Sequence, residues 1–507
     1  MNQTLPRKKR RFSLFPPLIC TAVVLIAFLC FFSARWFVRV YGRTGFDSIL
    51  YTLTASLGGV QSGLVFQYLL QALLPSVLCT GLASFLFFFL LRRNATGKYQ
   101  SSRPRRFPSV PVALLLSAGL IVFAAFDVGL VEYISDQIND SDLYETSYVN
   151  PDSVEISFPE KKRNLIYIYL ESMETTFLSK ELGGAMDENL IPELYQLAKD
   201  NICFSNGDSD VGGFYTAAGA TWTVGSMVAQ TAGIPLKTPT EDVNKYGSSG
   251  EDFLPGVTSL TSILHDAGYY QALMVGSDAS FGGRKPYFLQ HGMDKVYDIY
   301  TARQDGIVPS DYFIWWGMED LHLFEYARQE LTKIAAQEQP FAFTMLTVDT
   351  HHVGGYQCAL CQPSASGETY DQSISCSSRQ VAAFVEWIQA QSFYENTTVI
   401  IVGDHESMDN GYIERNVPDD YQRLVYNCFI NAAVEPAKTQ NREYCAVDLF
   451  PTTLAAMGCR IEGDRLGLGT NLFSTQATLT EQHGFDRFNR ELAKASSYYE
   501  ENFYSAK

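Results

Sequence analysis

At 507 residues and a formal net charge of −17, the chain is long enough for a membrane part and one large globular domain. Residues 1–131 hold 14 of the 38 bases but only two of the 55 acids, Asp47 and Asp127, leaving residues 132–507 with 24 bases, 53 acids and a net of −29. So acidic a domain repels phosphate backbones, which excludes a nucleic-acid binder, and repels anionic headgroups, so a lipid substrate would have to be gripped locally.

Three apolar stretches, at about 14–34, 66–91 and 109–131, meet the roughly 20 residues that a bilayer span requires. The Gly/Ser/Thr-rich residues 44–65 fit a re-entrant or interfacial segment. Basic clusters before the first stretch (Arg7 to Arg11) and between the second and third (Arg92, Arg93, Lys98, Arg103, Arg105, Arg106) mark cytoplasmic sides. The expectation is a multi-pass anchor over 1–131 in the plasma membrane, with everything after it extracytoplasmic. A cleaved signal peptide is the rival for the first stretch, but Arg35 and Arg39 follow its apolar core and no small-residue cleavage site does.

Residues 132–162 are polar and acidic and read as a linker. From Arg163, apolar runs at 164–170, 270–275, 341–348 and 397–402 have the composition of strands buried on both faces. Helical patterns near 189–200, 222–231, 258–267, 319–337, 378–391 and 447–457 lie between them. Strand alternating with helix predicts an α/β domain with a mostly parallel sheet sandwiched by helices, over 163–475, with 476–507 as an extension. Sites in such sheets form at the carboxyl ends of strands.

Those ends carry polar residues. The 164–170 run leads into Glu171, and the 397–402 run into Asp404 and His405. Carboxylate oxygens with an imidazole nitrogen suit Mn²⁺, Mg²⁺ or Zn²⁺. Thr221 stands at or just before a predicted helix start, where an alkoxide or phosphate is favoured, and a hydroxyl on a divalent metal is a usable nucleophile. Thr223, two residues on, is the alternative. The 341–348 run leads into Asp349, Thr350, His351 and His352, and a Gly-rich loop brings Arg284; a histidine and an arginine suit a phosphate.

In this order, Tyr169-Leu170-Glu171-Ser172, Gly219-Ala220-Thr221, Thr347 to His352 and Gly403-Asp404-His405-Glu406 resemble the lipoteichoic acid synthase family. Gly292-Met293-Asp294, Asp448 to Thr452 and Leu468 to Leu472 extend the resemblance over about 163–475. Thr221-Trp222-Thr223 through Gly233-Ile234-Pro235-Leu236 looks most like the branch that decorates periplasmic glucans with phosphoglycerol. The resemblance implies an alkaline-phosphatase/sulfatase-like fold. It also implies one divalent ion, Mn²⁺ or Mg²⁺, on Glu171, Thr221, Asp404 and His405, with Thr221 as nucleophile and Arg284 and His351 binding the phosphoglycerol. The implied reaction moves glycerophosphate from phosphatidylglycerol to an envelope glycan or teichoic-type acceptor. Phe281-Gly282-Gly283 departs from the lipoteichoic branch, which has an aromatic residue close before the arginine.

Three alternatives stand beside this one: a sulfatase-type hydrolase, a phosphoethanolamine transferase and a membrane-anchored polymer-binding module. The C/S-x-P-x-R letters of sulfatases recur at Ser102 to Arg106, in a predicted cytoplasmic loop; Cys361 to Ala365 lacks the arginine. Of the ten cysteines, Cys20, Cys30 and Cys79 fall in the apolar stretches. Among the other seven, Cys358, Cys361 and Cys376 are crowded enough for a disulfide or a zinc site, and Cys428 with Cys445 for a second disulfide.

Overall fold

A computed structural model describes residues 15–43, 45–54, 62–96, 109–237 and 252–505. The chain divides into two compact units, residues 1–39 with 60–132, and residues 40–59 with 133–507.

The first unit is helical. It holds most of α1 (Phe15–Tyr41), with α3 (Ser62–Tyr68), α4 (Leu74–Thr96) and α5 (Ser109–Asp127); a π-helical turn at Leu69–Leu73 joins α3 to α4. Among the described residues, three segments are long and apolar enough to cross a membrane: Leu18–Tyr41, Gly63–Phe87 and Val110–Asp127. The first runs seven residues past the predicted 34 because Arg35 and Arg39 do not interrupt the helix. Leu78, Leu82, Phe85 and Leu115 are exposed, as side chains facing hydrocarbon should be. The helices are tied by small polar groups: Thr21 and Ser84 hydroxyls meet at 3.1 Å, and Ser76 donates to the Phe28 carbonyl at 3.2 Å. Of the segment expected to be re-entrant, Phe46–Thr54 forms α2, in the second unit, and 55–61 lie outside the described residues. The basic residues at 7–11, 98, 103, 105 and 106 also lie outside them.

Besides α2, the second unit holds most of α6 (Leu130–Ile138), with α7 (Leu143–Ser147) and the two-residue β1 (Ile156–Ser157). Then follow β2 (Asn164–Leu170), α8 (Pro192–Asp200), β3 (Gly213–Phe214), α9 (Thr223–Ala232), α10 (Leu260–Asp266) and β4 (Tyr270–Val275). Next come α11 (Arg284–Gln290), β5 (Lys295–Tyr297), α12 (Ile299–Gln304), α13 (Asp320–Ala335), β6 (Phe341–Leu346), α14 (Thr369–Gln389) and β7 (Thr397–Gly403). The rest is α15 (Asn410–Asn416), β8 (Val425–Ile430), α16 (Leu449–Ala456), β9 (Arg460–Ile461), β10 (Arg465–Leu466), β11 (Gly469–Thr470), α17 (Leu479–His483), α18 (Phe485–Ala493) and α19 (Ser497–Phe503).

Among the described residues, seven strands make one sheet in the order β3-β8-β7-β2-β6-β4-β5. The five from β7 to β5 are parallel, and β8 and β3 close one edge antiparallel. The continuous apolar run of β2 has its cause here: Leu165, Tyr167 and Tyr169 enter one core, and Ile166, Ile168 and Leu170 the other. On the first side pack α9, α10, α11, α16, α18 and α19; on the second α8, α12, α13, α14 and α15. Residues expected as linker and extension are built into this unit. β1 pairs with β9, and Phe488, Leu492, Tyr499 and Phe503 from the C-terminal helices join the first core.

Candidate metal and phosphate site

β2 lies between β6 and β7, and Leu170 pairs with Gly403 across the sheet. The next residues, Glu171 and Asp404, therefore leave adjacent strands at the same level. Asp404 N donates to the Leu170 carbonyl at 3.1 Å, continuing the ladder one step. Gly403 is needed for this approach, since a Cβ there would lie 2.1 Å from the Met173 carbonyl oxygen. Asp404 Oδ1 then accepts the amides of Ser172 and His405 at 2.7 and 2.8 Å, and Ser172 Oγ donates to Glu171 Oε1 at 2.9 Å. From the β6 end, Thr347 Oγ1 accepts the Glu171 amide at 3.0 Å, and Thr350 Oγ1 donates to the Glu171 carbonyl at 2.6 Å.

Glu171, Asp404 and His405 are buried, with ligand atoms all within 4.8 Å of one another. His405 Nε2 is 3.3 Å from Asp404 Oδ2 and 3.8 Å from Glu171 Oε1. Its other nitrogen, Nδ1, faces the Glu406 carbonyl at 2.7 Å, and a carbonyl can only accept. Nδ1 therefore carries the proton, and in the neutral ring Nε2 turns its lone pair toward the two carboxylates. Asp404 Oδ2 is buried and accepts no hydrogen bond. Burial and the neighbouring Glu171 charge push the Asp404 carboxyl up to about 7. Burial opposes charge on His405, but Asp404 and Glu171 outweigh it and raise the imidazole pKa. Two acids, one imidazole lone pair and an unpartnered buried oxygen suit a divalent cation.

The hydroxyl beside this trio is that of Thr223, with Oγ1 3.4 Å from His405 Nε2. Trp222 is extended, so α9 begins at Thr223 and sets it in the first helical turn. The loop before it lies tight on that turn because Gly225 has no side chain; a Cβ would stand 2.5 Å from the Gly219 carbonyl and 2.9 Å from the Trp222 ring. Thr221, the position favoured from the sequence, lines a neighbouring cavity of about 210 Å³ with Thr216, Glu406, Ser407, Asn410 and Arg423.

α9 is braced against the strand ends by buried side chains that sequence reading passed over. Ser226 Oγ donates to the Asp404 carbonyl, and Gln230 Nε2 donates to Ser226 Oγ at 2.9 Å and to the Gly403 carbonyl at 3.3 Å. Tyr167 on β2 donates to Gln230 Oε1 at 2.7 Å.

His351 follows β6. Its Nδ1 is 2.8 Å from the His352 carbonyl, and its ring packs on Trp316 at 4.5 Å. Burial lowers its pKa to about 4, with the positive sides of His405 and Arg284 adding to the effect. Arg284 is buried and opens α11; Nε donates to the Phe281 carbonyl at 3.1 Å, and Nη2 to Ser277 Oγ at 3.0 Å and the Asp278 carbonyl at 2.7 Å. His351 thus stands within electrostatic reach of Asp404, His405 and Arg284. The aromatic wall is Trp316, which also packs on Phe281 at 5.7 Å. It comes from a separate loop and carried no signal in the sequence.

The mostly parallel sheet thus carries two buried acids and an imidazole at its carboxyl edge, with a threonine hydroxyl beside them. A protein of the alkaline phosphatase superfamily from Vibrio parahaemolyticus has this fold, with a TM-score of 0.50 at 18% identity over 74% of this chain and 95% of that one. The sulfatase family model matches residues 163–459, and the chain belongs to the sulfatase family. Among named proteins it is similar to phosphoglycerol transferase I of Xanthomonas campestris pv. campestris, 30% identical over 329 residues, 63% of this chain and 44% of that protein. It is also similar to phosphoglycerol transferase I of Escherichia coli, 30% identical over 373 residues, 72% of this chain and 45% of that protein. The chain thus matches less than half the length of these relatives.

Proposed function

We propose that this chain is a membrane-anchored, metal-dependent transferase that moves glycerophosphate from phosphatidylglycerol to an envelope glycan or teichoic-type polymer. The domain would act on the extracytoplasmic face of the plasma membrane, in keeping with the basic residues that flank the spans. Glu171, Asp404 and His405 would hold one divalent ion, Mn²⁺ or Mg²⁺, which when bound favours the threonine alkoxide and offsets phosphate charge.

The observation that carries this reading is the Thr223 hydroxyl 3.4 Å from His405 Nε2, at the edge of a buried acid–imidazole trio. It favours Thr223 over Thr221 as nucleophile. Thr223 Oγ attacks the phosphate of phosphatidylglycerol and gives up its proton, forming a Thr–O–P bond as the bond to the diacylglycerol oxygen breaks and that oxygen takes up a proton. An acceptor hydroxyl then attacks the same phosphorus, gives up its proton and frees Thr223. Arg284 would pair with phosphate oxygens, and His351, its pKa lowered by burial, would accept the acceptor's proton. The two relatives named phosphoglycerol transferase I support the choice of group transferred.

The test is release of diacylglycerol from labelled phosphatidylglycerol by the detergent-solubilised chain with Mn²⁺. Thr223→Ala should cut release on the order of a thousandfold or more, and Thr221→Ala by less than about tenfold. The reverse pattern would move the nucleophile to Thr221. Unchanged release in both would sink the threonine mechanism.

A further inference from the structure

Away from that trio, Cys358, Cys361 and Cys376 bring three sulfurs together between β6 and α14. Cys358 Sγ lies 3.9 Å from Cys361 Sγ and 3.7 Å from Cys376 Sγ, and all three fall within 4.8 Å of one another. A tetrahedral zinc with bonds of about 2.3 Å to sulfur sets its ligand sulfurs about 3.8 Å apart, whereas a disulfide needs about 2.05 Å.

The surroundings suit thiolates. The Cys358-x-x-Cys361 turn closes with the Cys361 amide on the Cys358 carbonyl at 3.1 Å, and the Leu360 amide points at Cys358 Sγ at 3.4 Å. Gln380 Nε2 lies 3.5 Å from Cys376 Sγ and 3.8 Å from Cys358 Sγ. Donors onto sulfur relieve the negative charge of a thiolate cluster. The Arg379 cation is within electrostatic reach of Cys376, and three thiolates on a dication leave one net negative charge.

We infer that Cys358, Cys361 and Cys376 form a thiolate site for a soft divalent ion, Zn²⁺ by charge and geometry, with water at the fourth corner on the partly buried Cys361 side. Such a site would clasp the loop that begins at Asp349, and so bears His351, to α14. It uses none of the residues of the proposed transfer site and stands or falls separately from it.

The test uses the full chain in detergent, reduced, stripped with a chelator and titrated with Co²⁺. A sulfur-to-cobalt charge-transfer band should appear and saturate by about two equivalents, persist in Asp404→Asn, and vanish in Cys361→Ser. Absence of the band in wild type overturns the proposal, as does a disulfide among the three found by alkylation and mass analysis without reductant. If Cys361→Ser does not fold, wild type still decides. Chelation should make these three thiols newly reactive to alkylation, and equal reactivity with and without Zn²⁺ overturns the site.

Discussion

At the scale of single residues, the clustering of the candidate site was legible because strand ends are marked in the sequence. Glu171, Asp404 and His405 each follow a continuous apolar run, and a parallel sheet delivers such positions to one edge. Which threonine joins them was not legible. Thr221 and Thr223 are two residues apart at a helix start, and in the structure Thr223 opens α9 with its Oγ1 3.4 Å from His405 Nε2, while Thr221 lines the neighbouring cavity. A second acid pair lies behind His351. Asp320 accepts the Val348 amide at 2.7 Å and the Asp349 amide at 3.3 Å, while Asp349 accepts the Asp320 amide at 3.1 Å. Burial pushes the Asp320 carboxyl up to about 7 from an ordinary 3.8, and Asp349 is raised as well, by burial and by Asp320. Between these values the folded chain keeps a proton on Asp320 that the unfolded chain releases. The stability this supplies is full below about pH 4 and is lost as pH rises through about 7. Asp320→Asn should therefore flatten the fall in stability between pH 5 and pH 8, read from urea unfolding midpoints. An unchanged slope would show that Asp320 titrates alike in both states.

Among the elements, four of the five long buried strands fall where uniform apolar runs announce them. β8 did not announce itself because Asn427 and Cys428 break its run; Asn427 is buried to bond the Phe204 carbonyl and amide, both at 2.9 Å. α14 starts at Thr369, nine residues before the predicted 378, because its first turns are rich in serine. Ser373, Ser377 and Ser378 are nonetheless buried, and Ser378 accepts the Leu194 amide at 3.2 Å. The element that matters most for the proposed chemistry is α9, and its brace runs through one buried amide. Gln230→Leu fills the space but removes bonds to Tyr167, Ser226 and the Gly403 carbonyl. It should cost about 1–3 kcal/mol in stability. Because the helix carries Thr223, kcat for diacylglycerol release should fall more than KM changes. Equal kcat in a folded variant would mean that Thr223 is held by the backbone alone.

At the scale of the whole molecule, the apolar stretches were legible from length and composition, and the sheet from its alternation with helices. The participation of both flanks of the second unit was not, because a polar, weakly periodic segment has no local mark of what it will pair with. Residues 476–505 fill the first core with Phe488, Leu492, Tyr499 and Phe503, and Tyr499 donates to the Pro235 carbonyl at 2.9 Å. Deleting everything after 475 should lower the midpoint of thermal unfolding and open the domain to limited proteolysis. A truncated chain as resistant as the whole would make those helices an ornament. The pairing behind this prediction also governs how the chain matures. Ser141 N bonds the Ala495 carbonyl, Val149 N the Gly467 carbonyl, and β1 waits for β9. The stretch that leaves the last apolar helix finds its partners only once residues more than 300 positions later have been made. An interrupted polypeptide would therefore present an unpaired edge from its first folded residues onward. Such a chain is a substrate for quality-control proteases, not a partly working enzyme.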